Sequence, residues 1–169
     1  MNFVFIGYMG SGKTTLGKKV ARLMNFNFVD LDQLIVEKSG MSIQELFDKK
    51  GESEFRRLEV ECLNQISSLD NHVIATGGGT PCFGDNLELL KKIGKVVYIQ
   101  LSKIELTKRL QESKKNERPL IKGKSNEELL EFVTQHLSSR ESFYLNAEII
   151  VKGIEQRANR LAPILQSYL

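Results

Sequence analysis

Short apolar runs alternate along the chain with longer stretches in which apolar residues recur at helical spacing. Five of the short runs are candidates for β-strands: residues 2–6, 27–30, 72–76, 95–101 and 148–151. Between the first two runs, Leu16, Val20 and Met24 fall on one stripe of a predicted helix. This alternation predicts an α/β fold, in which a five-stranded parallel sheet is flanked by helices on both faces.

Capping boxes and apolar spacing predict further helices. Three pairs have the spacing of a capping box: Ser42 with Glu45, Ser102 with Glu105, and Ser125 with Glu128. Residues 52–68 also carry apolar side chains on one helical face. The last helical segment starts at Ile154 and contains Pro163, which predicts a kink or an interruption.

Two stretches depart from the alternation of strand and helix. Residues 33–61 are predicted to be helical without a strand, so they form an insertion between the second and third strands. Residues 112–124 are polar, charged and poor in apolar periodicity, and we expect a mobile segment over the surface. A length of 169 residues suits one α/β domain, so both stretches are assigned to a single domain at 1–169.

Composition and charge narrow the functional classes. No apolar run approaches the roughly 20 residues that span a bilayer, and the first residues lack the features of a signal peptide. Cys62 and Cys82 form no zinc motif and fit a reducing compartment. We therefore expect a cytoplasmic protein. The net charge of +3 comes from scattered basic residues, which suits a protein that binds anionic small molecules and not nucleic acid. We also expect a monomer that does not bind membranes.

A phosphate-binding loop is the strongest local signal. Residues 7–14 match G-x-x-x-x-G-K-[ST], follow an apolar strand and open a helix. Backbone N–H groups of such a loop, together with the helix N-terminus, hold a phosphate. Lys13 can reach the β- and γ-phosphates, and Thr14 can offer its hydroxyl to Mg²⁺. The predicted nucleotide-binding residues of the loop are Gly10, Ser11, Gly12, Lys13, Thr14 and Thr15.

An acidic pair follows the second predicted strand. A nucleotide site of this kind needs a carboxylate near Mg²⁺, and the third strand ends at Thr76 without an acid. Asp30 and Asp32 are two residues apart, so on a continuing strand they point to the same side, at the sheet edge where ligands bind. We expect Asp32 to accept a hydrogen bond from an attacking hydroxyl and Asp30 to support the metal. Alternatively, either aspartate is only the N-cap of the next helix.

With the loop and the acidic pair, four further segments resemble the shikimate kinase family. They are Phe55-Arg56-Arg57 with Glu59, Gly77-Gly78-Gly79, Arg118-Pro119-Leu120, and Arg140 with Tyr144. The resemblance covers about residues 1–150. It implies a P-loop kinase with a helical substrate-binding insertion at 33–61 and a lid at 112–124. The implied reaction transfers the γ-phosphoryl group of ATP, with Mg²⁺ as cofactor, to the 3-hydroxyl of shikimate in the pathway to chorismate and the aromatic amino acids.

The resemblance also implies a substrate clamp. Arg56 and Arg140 would bind the substrate carboxylate, because the planar fork of arginine binds carboxylates bidentately. Glu59, one turn from Arg56, would hold that guanidinium in place. Gly78 and Gly79 would let the backbone approach the substrate closely, unless the triplet is only a turn.

Two more arginines receive roles from the same resemblance. Arg109 would pack on adenine, and Arg118 would be brought by the lid onto the transferring phosphoryl group. The predicted catalytic residues are thus Lys13, Asp32 and Arg118, the predicted metal ligands are Thr14 and Asp30, and the predicted substrate-binding residues are Asp32, Arg56, Gly78, Gly79 and Arg140. Arg57, His72 and His136 are expected to be structural or exposed.

Two alternative functions remain at this stage. Another small-molecule kinase, for gluconate or a nucleotide, would not require the pair Arg56 and Arg140. A nucleotide-dependent switch protein would hydrolyse its nucleotide without an acceptor, but the chain has no N-K-x-D motif for guanine.

Overall fold

The structure is a computed structural model that describes residues 1–113, 121 and 123–169. Its strands are β1 (Phe3–Ile6), β2 (Asn27–Asp30), β3 (His72–Ala75), β4 (Lys95–Ile99) and β5 (Ile149–Val151). The helices in this part of the chain are α1 (Lys13–Met24), α2 (Leu31–Ser39), α3 (Ile43–Ile66), α4 (Asn86–Ile93), α5 (Lys103–Glu112), α6 (Asn126–Ser138), α7 (Glu141–Tyr144) and α8 (Ala158–Gln166). Short 3-10 helices lie at Thr80–Cys82 and Gly153–Gln156.

The five strands form one parallel sheet in the order β2-β3-β1-β4-β5. This confirms the predicted fold class and all five strands. β1 lies in the centre, where Phe5 faces Ala75 of β3 on one side and Val97 of β4 on the other. The loop that follows β1 therefore leaves from the middle of the carboxyl edge, where the chain crosses to opposite sides of the central strand. Such a position is the usual ligand site of an open α/β sheet.

Alternating residues of the strands bury against helices on the two faces of the sheet. Val4 and Ile6 of β1 pack into the larger core with helices α2, α3, α4, α6 and α7, while Phe3 and Phe5 pack against α1 and α8. Side chains on a strand alternate between faces, so every residue of the central strand is fully buried. Two-sided burial explains why the strands are continuous apolar runs.

The predicted element boundaries differ from the observed ones in a few places. β4 ends at Ile99 and not at residue 101, because Ser102 caps α5 and the chain must turn before it. The helical segments on either side of Gly51 join into α3 with a kink, since Gly51 adopts φ 82°. All three predicted capping boxes are present.

The prediction of an interruption at Pro163 is wrong. α8 starts at Ala158, after a 3-10 turn, and runs through Pro163 to Gln166. A proline removes one N–H donor from the helix. Leu161 and Leu165, which flank Pro163 in the helix, are buried in the core cluster of α1 and the sheet. Their burial offsets the loss of the hydrogen bond.

The two stretches that departed from the alternation lie in different settings. Residues 33–61 lie within α2, α3 and the turn between them, and no strand occurs there, as predicted. Residues 114–120 and 122 of the predicted lid, including Arg118, lie outside the described residues. Within the described part of the chain, no helix combines the length and the apolar character needed to cross a membrane.

Candidate active site

The loop between β1 and α1 is shaped by glycines where other residues would clash or be strained. Gly7 has φ 140°, and a Cβ there would lie 2.8 Å from the carbonyl oxygen of Ile99. Gly12 forms the N-cap of α1 with φ 92°. Both backbone conformations favour glycine. The loop thus curls tightly over the start of α1. The N-terminus of the helix favours an anion bound within this loop.

The lysine of the loop motif, Lys13, lies inside the curl. Lys13 is 8% exposed, and its Nζ donates to the carbonyl oxygens of Gly7 at 2.7 Å and Tyr8 at 3.0 Å. The loop carbonyls therefore hold the ammonium group within the loop. A cavity of about 410 Å³ opens beside it, lined by the predicted residues Gly10, Gly12, Lys13, Thr14, Thr15, Asp30, Asp32, Gly78 and Arg109.

Asp30 connects the loop to α2. Its Oδ1 accepts hydrogen bonds from the backbone N–H groups of Asp32 and Gln33, so it is the N-cap of α2, as the alternative interpretation had it. Its Oδ2 accepts from the Thr14 hydroxyl at 2.7 Å. The two candidate metal ligands are thus in direct contact.

Asp32 does not lie on a strand, so the geometric reason for pairing it with Asp30 is corrected. β2 ends at Asp30, and Asp32 lies in the first turn of α2. The strand stops there because the side chain of Asp30 caps the helix. The two carboxylates nevertheless line the same cavity, since the helix starts at the carboxyl edge of the sheet.

The environment of Asp32 disfavours its charge. Its Oδ1 is buried and has no hydrogen-bond partner among the residues that the structure describes. Burial, followed by the negative charge of Asp30, raises the pKa of the Asp32 carboxyl to about 6, and Lys13 opposes this rise. Such a carboxyl takes up a proton more readily than an ordinary aspartate. It is therefore suited to proton transfer with a ligand in the cavity.

A second cluster is built around Arg56 on α3. Its Nη1 donates to Oε2 of Glu59 at 2.9 Å, as predicted, and Glu59 is fully buried. Glu59 also accepts from the Thr80 hydroxyl at 2.7 Å and from the Asn86 amide at 3.3 Å. A buried carboxylate with three partners is well compensated. The guanidinium is further held by the ring of Phe83, whose centroid lies 3.6 Å from Cζ.

Arg140 reaches the same point as Arg56 from another part of the chain. It is the residue before α7. A Cβ on Gly79 would lie 3.1 Å from Nη2 of Arg56 and 3.5 Å from Nη1 of Arg140. The two guanidinium groups therefore converge over the backbone of Gly79, which can place two cationic forks around one carboxylate.

The glycine triplet after β3 joins these parts of the site. A Cβ on Gly77 would lie 2.9 Å from Oδ1 of Asp32, and a Cβ on Gly78 would lie 3.0 Å from the backbone nitrogen of Met9 in the loop. With Gly79 at the two arginines, each glycine touches a different functional group. The triplet lets the acid, the phosphate loop and the arginine pair approach one another within three residues.

Arg109 lies beside the loop, where a Cβ on Gly12 would be 3.2 Å from its Nη1. Its Nη1 donates to the carbonyl oxygen of Ser11 at 3.0 Å. A second cavity of about 350 Å³ lies against it, lined also by Gly12, Thr15 and Gln156. The structure therefore brings Arg109 to the loop, but the arginine pair lies in a separate cluster.

Sequence reasoning missed several residues of these clusters. Phe83, Thr80 and Asn86 belong to no motif and approach Arg56 or Glu59 only through the turn after the glycine triplet. Gln156 gave no signal either, and its amide donates to the carbonyl oxygens of Gln100 and Val151. His136, expected to be structural, bonds to the Tyr8 hydroxyl at 2.9 Å.

Comparisons with known proteins agree with one another. The family model for shikimate kinase matches residues 9–167. The chain is 43% identical over 155 residues to the shikimate kinase of Phocaeicola vulgatus, covering 92% of this chain and 88% of that protein. It is 41% identical over 168 residues to the shikimate kinase of Bacteroides thetaiotaomicron, covering 95% of each chain.

Solved structures give the same result. The crystal structure of shikimate kinase from Bacteroides thetaiotaomicron has a TM-score of 0.91 at 40% identity, over 98% of both chains. Shikimate kinase from Acinetobacter baumannii in complex with shikimate has a TM-score of 0.86 at 32% identity, over 99% of this chain and 91% of that one.

Proposed function

The chain belongs to the shikimate kinase family, and from this premise we propose that it transfers the γ-phosphoryl group of ATP to the 3-hydroxyl of shikimate. As a member of the family it is an enzyme with ATP as co-substrate. The observation that carries the proposal for this site is the glycine triplet, which borders on Asp32, the phosphate loop and the arginine pair. A hydroxyl-bearing acid held at the arginines can thus reach both the proton acceptor and the phosphate loop.

The phosphate chain of ATP is assigned to the loop at residues 7–14. The N-terminus of α1 and the loop N–H groups would hold the β-phosphate, and Lys13 would reach the β- and γ-phosphates. In the structure the Lys13 ammonium group donates to loop carbonyls, so at least one of its N–H donors would turn to the phosphates on binding. Catalysis of this kind depends on positioning and on charge stabilisation.

The residues present fit a magnesium ion. Mg²⁺ takes oxygen ligands and is usually held by one or two carboxylates together with phosphates and water. Thr14 and Asp30 offer a hydroxyl and a carboxylate in contact at the edge of the cavity. When bound, Mg²⁺ would neutralise charge on the β- and γ-phosphate oxygens. In the described residues no cluster of three acidic, histidine or cysteine side chains could hold a metal by itself, which suits an ion held largely by phosphates.

Asp32 is proposed to act on the acceptor hydroxyl. Its carboxylate would accept the hydroxyl proton while the acceptor oxygen forms a bond to the γ-phosphorus. The bond from that phosphorus to the β,γ-bridging oxygen breaks, and ADP leaves. The raised pKa of Asp32 supports this role, because it makes the carboxylate a better base at neutral pH than an ordinary aspartate.

The acceptor carboxylate is assigned to Arg56 and Arg140. Two guanidinium groups beside a glycine can bind a carboxylate through several charge-assisted hydrogen bonds. Arg56 is held from behind by Glu59, so the clamp is partly ordered before the ligand arrives. A neutral or phosphorylated sugar would not use this pair in the same way. The arginine pair therefore favours an acceptor with one carboxylate.

Other assignments rest on the family and the sequence. Arg109 would pack on adenine, supported by its place beside the loop and the 350 Å³ cavity. Arg118 would stabilise the transferring phosphoryl group from a lid at 112–124, with 33–61 as the substrate-binding insertion of a single domain. We also propose that the enzyme is a cytoplasmic monomer that binds neither nucleic acid nor membrane.

A coupled ADP-release assay with four acceptors tests the proposal. We expect turnover with shikimate, and much weaker use of shikimate methyl ester, quinate and gluconate. Preference for gluconate would indicate another small-molecule kinase. ADP release that does not depend on any acceptor would indicate a nucleotide switch. Equal use of shikimate and its methyl ester would rule out the carboxylate clamp.

A further inference from the structure

The guanidinium of Arg56 is bound by two glutamates, on two different edges. Its Nη1 donates to Glu59, as described above. Its Nε and Nη2 both donate to Oε1 of Glu52, at 3.3 Å and 3.2 Å. Nε and Nη2 form the side edge of the guanidinium, which binds a carboxylate bidentately with two parallel N–H groups. Glu52 therefore occupies an edge that an incoming carboxylate needs.

The two glutamates differ in how firmly they are held. The side chain of Glu59 is 1% exposed and has Thr80 and Asn86 as further partners. The side chain of Glu52 is 54% exposed, and Arg56 is its only hydrogen-bonding or ionic partner among the described residues. Exposed ion pairs are weak, whereas a buried carboxylate cannot leave its partners without a large cost. Only Glu52 can be displaced easily.

We propose that Glu52 is a specificity residue that competes with the acceptor carboxylate for Arg56. Its carboxylate binds the edge of Arg56 that the acceptor carboxylate would use, so the acceptor must replace it. This inference rests on the proposed function, because it takes the arginine pair to be the carboxylate site.

Arg140 gives the acceptor carboxylate an advantage over Glu52 in binding to Arg56. Glu52 contacts Arg56, and no described carboxylate forms an ion pair with Arg140. A ligand carboxylate over Gly79 meets both guanidinium groups. An anion that reaches Arg56 alone replaces the ion pair with Glu52 by a similar ion pair, so its net gain in binding free energy is small. An acid that contacts both Arg56 and Arg140 gains an additional ion pair and can displace Glu52. Glu52 therefore favours acids that reach both arginines.

The substitution Glu52→Gln tests this proposal, because it removes the competing charge and keeps the shape. We expect KM and Kd for shikimate to fall about two- to fivefold, which corresponds to the strength of an exposed ion pair. kcat and KM for ATP should stay unchanged. The methyl ester should bind as before, because a neutral ligand does not need to displace Glu52. Glu52→Ala should act in the same direction.

Glu54→Gln is the matched control. Glu54 lies on the same helix and also binds an arginine, but that partner is the exposed Arg57. Its substitution should change neither constant for shikimate. Weaker or unchanged acid binding in both Glu52 variants would overturn the proposal, as would an equal gain for acid and ester. Failure of the proposed function is separate, since the wild-type enzyme would then not bind or phosphorylate shikimate.

Discussion

The hydroxyl of Tyr144 donates a hydrogen bond of 2.6 Å to the carbonyl oxygen of Gly78. Tyr144 is fully buried at the end of α7, and Arg140 is the residue before that helix. One side chain therefore ties the glycine triplet to the helix that positions an arginine of the proposed clamp. We expect the relative placement of Gly79 and Arg140 to depend on this bond.

We expect Tyr144→Phe to weaken acceptor binding more than ATP binding. The change leaves the Gly78 carbonyl oxygen without its partner, which should lower the free energy of unfolding by about 1 kcal/mol. It should raise KM for shikimate several-fold, because the triplet and Arg140 lose their common anchor. Denaturant unfolding and steady-state kinetics measure both effects, with the exposed Tyr168→Phe as control. If the variant lost stability but kept the KM for shikimate, the Tyr144 hydroxyl would have only a structural role.

The buried carboxylate of Glu59 gives a second prediction. Glu59→Gln should lower the free energy of unfolding by about 2 to 4 kcal/mol, because Arg56 loses its charged partner in a buried setting. The matched control is Glu61→Gln on the same helix, whose carboxylate is 45% exposed and pairs with Lys38 and Arg57. The control should cost less than about 1 kcal/mol. Similar losses in both variants would show that burial does not distinguish the two glutamates.

The sequence was sufficient for the fold and for the phosphate loop because both depend on local patterns. Continuous apolar runs predicted the parallel strands, and the spacing of Gly7, Gly12 and Lys13 predicted the loop. The capping boxes could also be predicted, because a capping box needs only two residues three positions apart. Asp30 was the ambiguous case, because an aspartate after a strand can serve as a helix cap, a metal ligand or both.

The contacts between distant segments could not be predicted in the same way. Phe83 stacks on Arg56 because the turn after the glycine triplet folds back over α3. No spacing in the sequence encodes that approach. Gln156 lies beside the nucleotide loop for the same kind of reason, through the turn after β5. Motifs identified the groups that carry chemistry, whereas the residues that hold those groups in place became visible only in three dimensions.

Asp32 should give the enzyme a pH dependence. The folded protein raises its pKa from 3.8 to about 6, chiefly through burial and secondly through Asp30. In the proposed mechanism the deprotonated form accepts the hydroxyl proton, so kcat/KM should rise with pH through about 6 and level off above it. Asp32→Asn should lower turnover at least about 10²-fold and leave ATP affinity nearly unchanged. An equal loss of ATP affinity would make Asp32 mainly a metal ligand.

The same shift predicts the effect of Asp32 on stability. A carboxyl whose pKa is raised by folding favours the folded state while it is protonated, and this contribution is lost as the pH rises from about 4 through about 6. At pH 7 the buried charge of Asp32 therefore destabilises the wild-type protein. Asp32→Asn should be more stable than the wild type at pH 7, and the difference should shrink as the pH falls. Unfolding curves at pH 5 and pH 7 measure this, and a variant less stable at pH 7 would contradict it.

The last prediction concerns Phe83, which stacks on Arg56 of the proposed clamp. The face of its ring lies 3.6 Å from the guanidinium carbon, and Phe55 lies on the same group at 4.9 Å. Stacking of this kind is worth about 0.5 to 2 kcal/mol, depending on how far the pair is removed from water. Phe83→Leu keeps an apolar side chain but removes the ring face that orients the guanidinium plane. We expect KM for shikimate to rise about two- to thirtyfold, with KM for ATP nearly unchanged.

If Phe83 acts by orienting Arg56, its substitution should affect the methyl ester less than the acid. The ester gains less from Arg56, so Phe83→Leu should raise its KM less than that of the acid. The control is Phe26→Leu, a partly buried ring stacked on Phe3 on the other face of the sheet, which should change neither constant. If Phe83→Leu affected acid and ester equally, the ring would contact the body of the substrate and not orient the guanidinium. An equal rise in KM for ATP would point instead to a general loosening of the turn that carries the glycine triplet.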